Sequence, residues 1–328
     1  MGAGALWGVV FLAPELVRAF SALQLTIGRY LSYGLLSAIL IAPRWRELTR
    51  LLTLREWLAL TWLSLVGNTL YYILLSNAVR TGGIAMTSLV IGFLPVAVTI
   101  VGSRDRDAVP LRRLLPSLLL CAAGALVIGW QALWTPASGS MTTGLTGVLC
   151  ALGALVSWTV YAVGNSRWLA RLGQVSAHEW NLLMGVVTGA QTLVLIPVAL
   201  SIDTERHSTF AWMRFSVISA CVALLASIVG SALWNRMSRL LPLTLVGQMI
   251  LFETLFALVY GLVWERRLPT LLEGVAFALV GLSVTSCIAA HGRAARARVL
   301  GRHGHEAASA PAARLPDSRA RWRRRLLL

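Results

Sequence analysis

Apolar residues run through this chain in long windows free of Asp, Glu, Lys, Arg and His, at 57–79, 81–103, 114–166, 180–202 and 215–235. About 20 apolar residues are needed to cross roughly 30 Å of hydrocarbon as a helix, so each window accommodates one membrane span. The window 114–166 accommodates two, separated by the turn-like stretch WTPASGSMTTG at 134–144. The pattern predicts spans at 2–20, 23–42, 56–78, 82–103, 114–133, 145–165, 178–200, 213–235, 240–263 and 270–290. The expected fold class is an all-α integral membrane protein with ten transmembrane helices.

Composition agrees with this reading: 57% of residues are hydrophobic and 13% charged, against about 25% charged in soluble domains. All 29 basic residues are Arg. Without Lys, the chain by itself builds neither a Walker A phosphate loop nor a Schiff base, which removes ATP-driven pumping and pyridoxal chemistry. Cys121, Cys150, Cys221 and Cys287 lie in apolar runs without paired spacing and read as small packed side chains. His303 and His305 have no further ligand types beside them, so no metal and no cofactor is expected.

The net charge of +16 sits in the connections and the C-terminal tail, where it reports membrane orientation rather than nucleic-acid binding. Connections after even-numbered spans carry twice as many Arg as the opposite ones, including Arg44, Arg46, Arg104, Arg112, Arg167 and Arg239. The positive-inside rule then places both termini in the cytoplasm of a multi-pass inner membrane protein. The tail, 291–328, is basic and poor in apolar residues, and is expected to be disordered, its last ten residues suited to anionic lipid.

Faint internal likeness divides the ten spans into two sets of five. Gly4-Ala5-Leu6 matches Gly153-Ala154-Leu155, and Val66-Gly67, Leu70 and Tyr71 match Val229-Gly230, Leu233 and Trp234. Because five is odd, a repeated unit must insert upside down, the inverted-repeat arrangement of many secondary transporters.

With LWG at 6–8, GRYLSYG at 28–34, NAVRTGGIAMTSLVIGFLPV at 77–96, LPLTLVGQMILFETLFALVYGLVWERRLP at 241–269 and GVAFALVGLSV at 274–284, the chain resembles the drug/metabolite transporter superfamily, in particular the EamA-type ten-helix permeases. The resemblance implies one repeat over 1–134 and a second over 145–290. It also implies efflux of amino acids, metabolites or drugs through a central cavity lined by helices 1, 3, 4, 6, 8 and 9. No substrate follows from it.

An ionisable group inside a span is costly unless it faces a cavity or a partner. Glu253 lies mid-span in the ninth helix with Gln248 five residues before it. The carboxyl reads either as a substrate-amine or proton-coupling group, or as a packing group held by a polar neighbour. Arg29 either snorkels to the outer interface or meets a charge or a substrate carboxylate. Trp7, Asn68, Tyr71, Tyr72, Trp158, Tyr161, Trp234 and Asn235 suit a pocket for an amphipathic organic solute, though aromatic residues near span ends also serve as interfacial anchors. Gly4-x-x-x-Gly8 and Gly185-x-x-x-Gly189 favour close helix contact, and Pro95 a kink.

The reading is a secondary transporter working by alternating access, not an enzyme. Its partners would be a small-molecule substrate, the lipid bilayer, a proton as a compatible coupling ion, and no nucleic acid; a homodimer is compatible. A membrane-embedded enzyme would need clustered carboxylates or His near one face, and a sensor or scaffold an output domain; these are the alternatives.

Overall fold

Span starts in this chain carry their own stop-and-start chemistry. Ser21 and Gln24, Thr53 and Glu56, and Ser176 and Glu179 form reciprocal capping boxes, in which side chains satisfy backbone N–H groups that the first helical turn leaves unpaired. The structure, a computed structural model, describes residues 1–17, 19–105, 108–133, 141–202, 207–266 and 268–309. Every regular element among them is helical.

In the first half of the chain these are α1 (Gly2–Gly8), α2 (Ala13–Leu16), α3 (Ala22–Ile41), α4 (Trp45–Leu51), α5 (Leu54–Ser64), α6 (Tyr71–Ile91), α7 (Leu94–Gly102) and α8 (Leu111–Leu133). In the second they are α9 (Met141–Arg171), α10 (Ala177–Leu193), α11 (Leu195–Ile202), α12 (Thr209–Val222), α13 (Ser231–Leu240), α14 (Leu243–Met249), α15 (Leu251–Glu265) and α16 (Leu271–Ser309). Two π-helical segments, Leu65–Leu70 and Ala223–Gly230, join α5 to α6 and α12 to α13. Among the described residues six helical stretches are long and apolar enough to cross a membrane, or seven if the bent pair α10–α11 is one span.

Several boundaries differ from the sequence reading. The first span is broken into α1, a 3-10 turn at Val9–Leu12 and α2, because Pro14 in the first turn of α2 cannot donate to the preceding carbonyls. The separation expected between 78 and 82 is absent: α6 continues to Ile91, and the break falls at Gly92–Phe93 with Pro95 in the first turn of α7. In the first turn of a helix proline forfeits no intrahelical hydrogen bond, so Pro95 marks a boundary rather than a kink. The expected linker at 134–144 lies outside the described residues as far as 140. At the other end α16 runs on to Ser309, so the tail begins as helix, consistent with its Ala and Arg, both good helix formers; 310–328 lie outside the described residues. Contacts group Met1–Ile288 as one unit and Ala289–Leu328 as another.

Glycine sets the closest helix contacts. On α3, a Cβ added to Gly34 would stand 2.7 Å from the Cα of Gly189 on α10, and the reverse distance is also 2.7 Å. On α7 and α14, Gly102 abuts Leu243 and Thr244 while Gly247 abuts Thr99 and Val98. Gly4 and Gly8 of α1 lie against Phe252 and Ala257 of α15. Gly124 of α8 meets Val280 of α16, and Ser283 donates to the Ser117 carbonyl at 2.6 Å across the same pair. Such small-residue contacts let backbones approach where lipid supplies no hydrophobic driving force. Elements of the first half thus pair with elements of the second.

The connections after α3, α7, α9 and α13 meet at one end. Arg44, following α3, pairs with Glu47 and with Glu179 at the start of α10. Arg167 near the end of α9 pairs with Asp105, following α7, at 2.9 Å. Arg239 at the end of α13 donates to the carbonyls of Leu169, Leu172 and Val175 at 2.7–3.0 Å. At the other end Phe20 stacks on Phe215, with ring centroids 4.3 Å apart, and meets His207 and Trp212.

Candidate functional site

Both π segments present backbone carbonyls to side chains inside the bundle, where the helical ladder widens by one residue. At Ala223–Gly230 these carbonyls are taken up by other helices: the Trp7 indole donates to Ala226 at 3.0 Å, and the Asn181 amide to Ser227 and Ile228 at 3.1 and 3.2 Å. The Asn181 carbonyl and side chain in turn accept from Tyr33. At Leu65–Leu70, Ser157 donates to Val66 at 2.6 Å and the Tyr30 hydroxyl to Asn68 at 3.4 Å. Gly230 leaves room for Trp7 and Gly67 for the ring of Tyr161.

This bracing brings the expected aromatic residues together. Trp7, Trp158 and Trp234 form a triad with centroids 4.9 Å apart for Trp7–Trp234, 5.7 Å for Trp158–Trp234 and 6.1 Å for Trp7–Trp158. Tyr71 and Tyr161 extend it from Trp158 at 6.4 and 5.9 Å. Beside this cluster the Arg29 guanidinium lies 5.1 and 5.3 Å from the ring centroids of Tyr30 and Tyr72, and its Nε donates to Ser227 at 3.2 Å. Arg29 therefore turns into the bundle rather than snorkelling outward, held partly by cation–π attraction.

Glu253, half-buried on α15, is near enough to Arg29 and Tyr71 to interact with them electrostatically. Among the described residues the two opposite charges form no direct ion pair within 4.0 Å. An opposite-charge pair that is close but unbridged, walled by aromatic rings, can accept a ligand carrying both an anionic and a cationic group.

Three expected residues lie elsewhere. Gln248 is fully buried, accepting from Ser283 at 3.1 Å and donating to Thr99 at 3.5 Å, so it ties α14 to α7 and α16. Asn235 accepts from Asn165 at 2.8 Å, which accepts from the Trp180 indole at 2.9 Å. Asn68 donates to Thr188 at 2.9 Å within a network that includes Ser64 and Gln191. The sequence reading missed Tyr30, Ser227 and Asn181. The need of an intramembrane Arg for partners pointed toward such groups, but nothing in the residue order identifies them.

A helical bundle of this hydropathy is a multi-pass membrane protein. The chain is 31% identical over 302 residues to the inner membrane protein YtfF of Escherichia coli (strain K12), covering 86% of this chain and 92% of that protein. It belongs to the family of YtfF and is a multi-pass protein of the inner membrane. A solved structure described only as the crystal structure of a protein superimposes with a TM-score of 0.66 over 87% of this chain and 95% of its own, at 16% identity. That likeness concerns the fold. No family model matches the chain.

Proposed function

We propose that this protein is a secondary transporter of the drug/metabolite superfamily, EamA type, exporting a small organic solute by alternating access. It is built from ten spans in two inverted five-helix repeats, with both termini cytoplasmic. The reciprocal pairing supports the repeat: α7 lies on α14, and α3 on α10. α1 packs on α15 and on the π segment Ala223–Gly230, while α9 packs on α7 and on the π segment Leu65–Leu70. The orientation is supported by the Arg-rich end, where the connections after α3, α7, α9 and α13 meet.

The observation that carries the function is the unbridged Arg29–Glu253 pair within membrane-embedded helices. Burying two charges without joining them is costly, and a solute with complementary charges offsets that cost when it binds. Glu253 is also the group through which a proton gradient would act.

The test is flux of a panel of amino acids, amines and carboxylates into proteoliposomes, with and without a pH gradient. Glu253→Gln, nearly isosteric, is expected to leave the protein folded and remove at least about 90% of gradient-driven flux. Normal flux by that variant across pH 5 to 8 removes Glu253 from the site; no flux of any solute by the native protein removes the transport reading.

A further inference from the structure

At the Arg-rich end the acidic side chains described in the connections are already engaged. Glu47 and Glu179 pair with Arg44, and Asp105 pairs with Arg167. Glu56 is turned back to accept from the Thr53 backbone N–H at 2.8 Å. Arg55, in the first turn of α5, and Arg171, in the last turn of α9, are exposed and form no ion pair among the described residues. Both nevertheless lie against one indole. Their guanidinium carbons are 5.7 and 5.9 Å from the ring centroid of Trp168, and so no more than about 12 Å from each other. That ring is fixed in place by stacking on the fully buried Trp180, with centroids 6.4 Å apart, and the Trp180 indole itself donates to Asn165. Cation–π attraction draws the two like charges to one ring, and a shared anion relieves their mutual repulsion.

We propose that Arg55, Trp168 and Arg171 bind the phosphate of an anionic phospholipid whose acyl chains run along the exposed faces of α5 and α9. Each Arg heads an apolar stripe on its own helix. On α5, Leu58 and Trp62 lie three and seven residues after Arg55, on the same face at 3.6 residues per turn, and are 61% and 55% exposed. On α9, Val160 and Val156 lie eleven and fifteen residues before Arg171, again on one face, and are 42% and 61% exposed. The two segments also touch: a Cβ added to Gly164 would stand 2.9 Å from Leu63, and Ser157 donates to the Val66 carbonyl. A lipid held by both Arg residues therefore straddles a contact between the first half of the chain and the second. Planar guanidiniums match phosphate oxygens in pairs, and a half-buried Trp at a span end is suited to headgroup level. A soluble phosphate ester would use the two Arg residues but leave the stripes unused, and the stripes decide for a lipid. The site is separate from Arg29 and Glu253 and does not rest on the transport reading.

The test is lipid binding by the purified full-length protein in a neutral detergent, counted by native mass spectrometry as dioleoylphosphatidylglycerol or dioleoylphosphatidylcholine is added. One phosphatidylglycerol should bind at least about tenfold more tightly than phosphatidylcholine. Arg55→Gln combined with Arg171→Gln should weaken that lipid about tenfold, and Arg171→Gln alone, about threefold, supplies the measurement if the double variant does not fold. Arg46→Gln combined with Arg50→Gln removes the same charge from exposed positions on α4 at the same end and should change binding by less than about twofold. Millimolar inorganic phosphate should leave the lipid bound. Its displacement by phosphate would make this a site for a soluble anion and overturn the proposal. Equal weakening by the two Gln pairs, or no weakening by the loss of Arg55 and Arg171, also overturns it, because the attraction then belongs to the basic end as a whole.

Discussion

The two π segments are the same device used twice with different neighbours. At Leu65–Leu70 the approaching side chain is Tyr161, pressed onto Gly67 so closely that an added Cβ would fall 2.2 Å from its ring. At Ala223–Gly230 it is Trp7, whose ring stands 3.0 Å from an added Cβ on Gly230 and which also bonds the Ala226 carbonyl. The first contact is tighter and purely steric; the second is looser and hydrogen-bonded. One half of the chain thus holds a rigid joint and the other a releasable one.

Gly67 and Gly230 give the sharpest way to break this comparison. Gly67→Ala has to displace an aromatic ring in a packed interior, and overpacking of that kind costs about 1–3 kcal/mol. We expect it at the upper end, as a drop in the thermal unfolding midpoint of the detergent-solubilised protein that Tyr161→Leu partly restores. Gly230→Ala meets the edge of the Trp7 indole at 3.0 Å and the Leu225 carbonyl at 3.2 Å, looser contacts that should cost less, about 1 kcal/mol. If Gly230→Ala is the more damaging, the rigid and releasable joints have been assigned the wrong way round.

The hydrogen bonds offer a second, smaller contrast. Asn181 supplies both amide protons to Ser227 and Ile228 and accepts from Tyr33, whereas Ser157 supplies one bond to Val66. Interhelical hydrogen bonds in membranes average about 0.6 kcal/mol. Asn181→Ala should therefore lower stability by about 1–2 kcal/mol, and Ser157→Ala by about half of that or less. Equal losses in denaturation by increasing sodium dodecyl sulfate fraction would remove the distinction between the two braces.

How far the sequence anticipates this site depends on whether the deciding contact is local. Charge-free windows, Arg-rich connections and the pairing of Val66-Gly67 with Val229-Gly230 are one-dimensional signals, and that pair of matches falls within the two π segments. The aromatic group was legible as a set of residue types on separate spans, but its closure into a triad depends on helix rotation, which residue order does not encode. Two exclusions were within reach. Gln248 and Glu253 are five positions apart, about 140° around an ideal helix, so they face different neighbours. Asn235 adjoins Trp234 and so points about 100° away from it. Arg29 was harder: length of side chain permitted either snorkelling or an inward turn, and only Tyr30, Tyr72 and Ser227, drawn from three helical segments, decide it.

The weakest link in the comparison is the hydroxyl of Tyr30. Its bond to the Asn68 carbonyl is 3.4 Å long, beyond the 2.5–3.0 Å usual for O–H donors, so little attraction remains in it. The ring does more, since it flanks the Arg29 guanidinium and meets Tyr72 at 5.9 Å. Tyr30→Phe keeps the ring and its negative face while deleting only the long bond. We expect a stability change within about 0.5 kcal/mol and flux within about twofold of native. Trp7→Phe deletes a 3.0 Å bond together with the second ring of the indole, and should cost more on both measures. If Tyr30→Phe proves as harmful as Trp7→Phe, the Leu65–Leu70 segment is held by its hydrogen bonds after all, and the contrast between a steric and a bonded joint fails at its foundation.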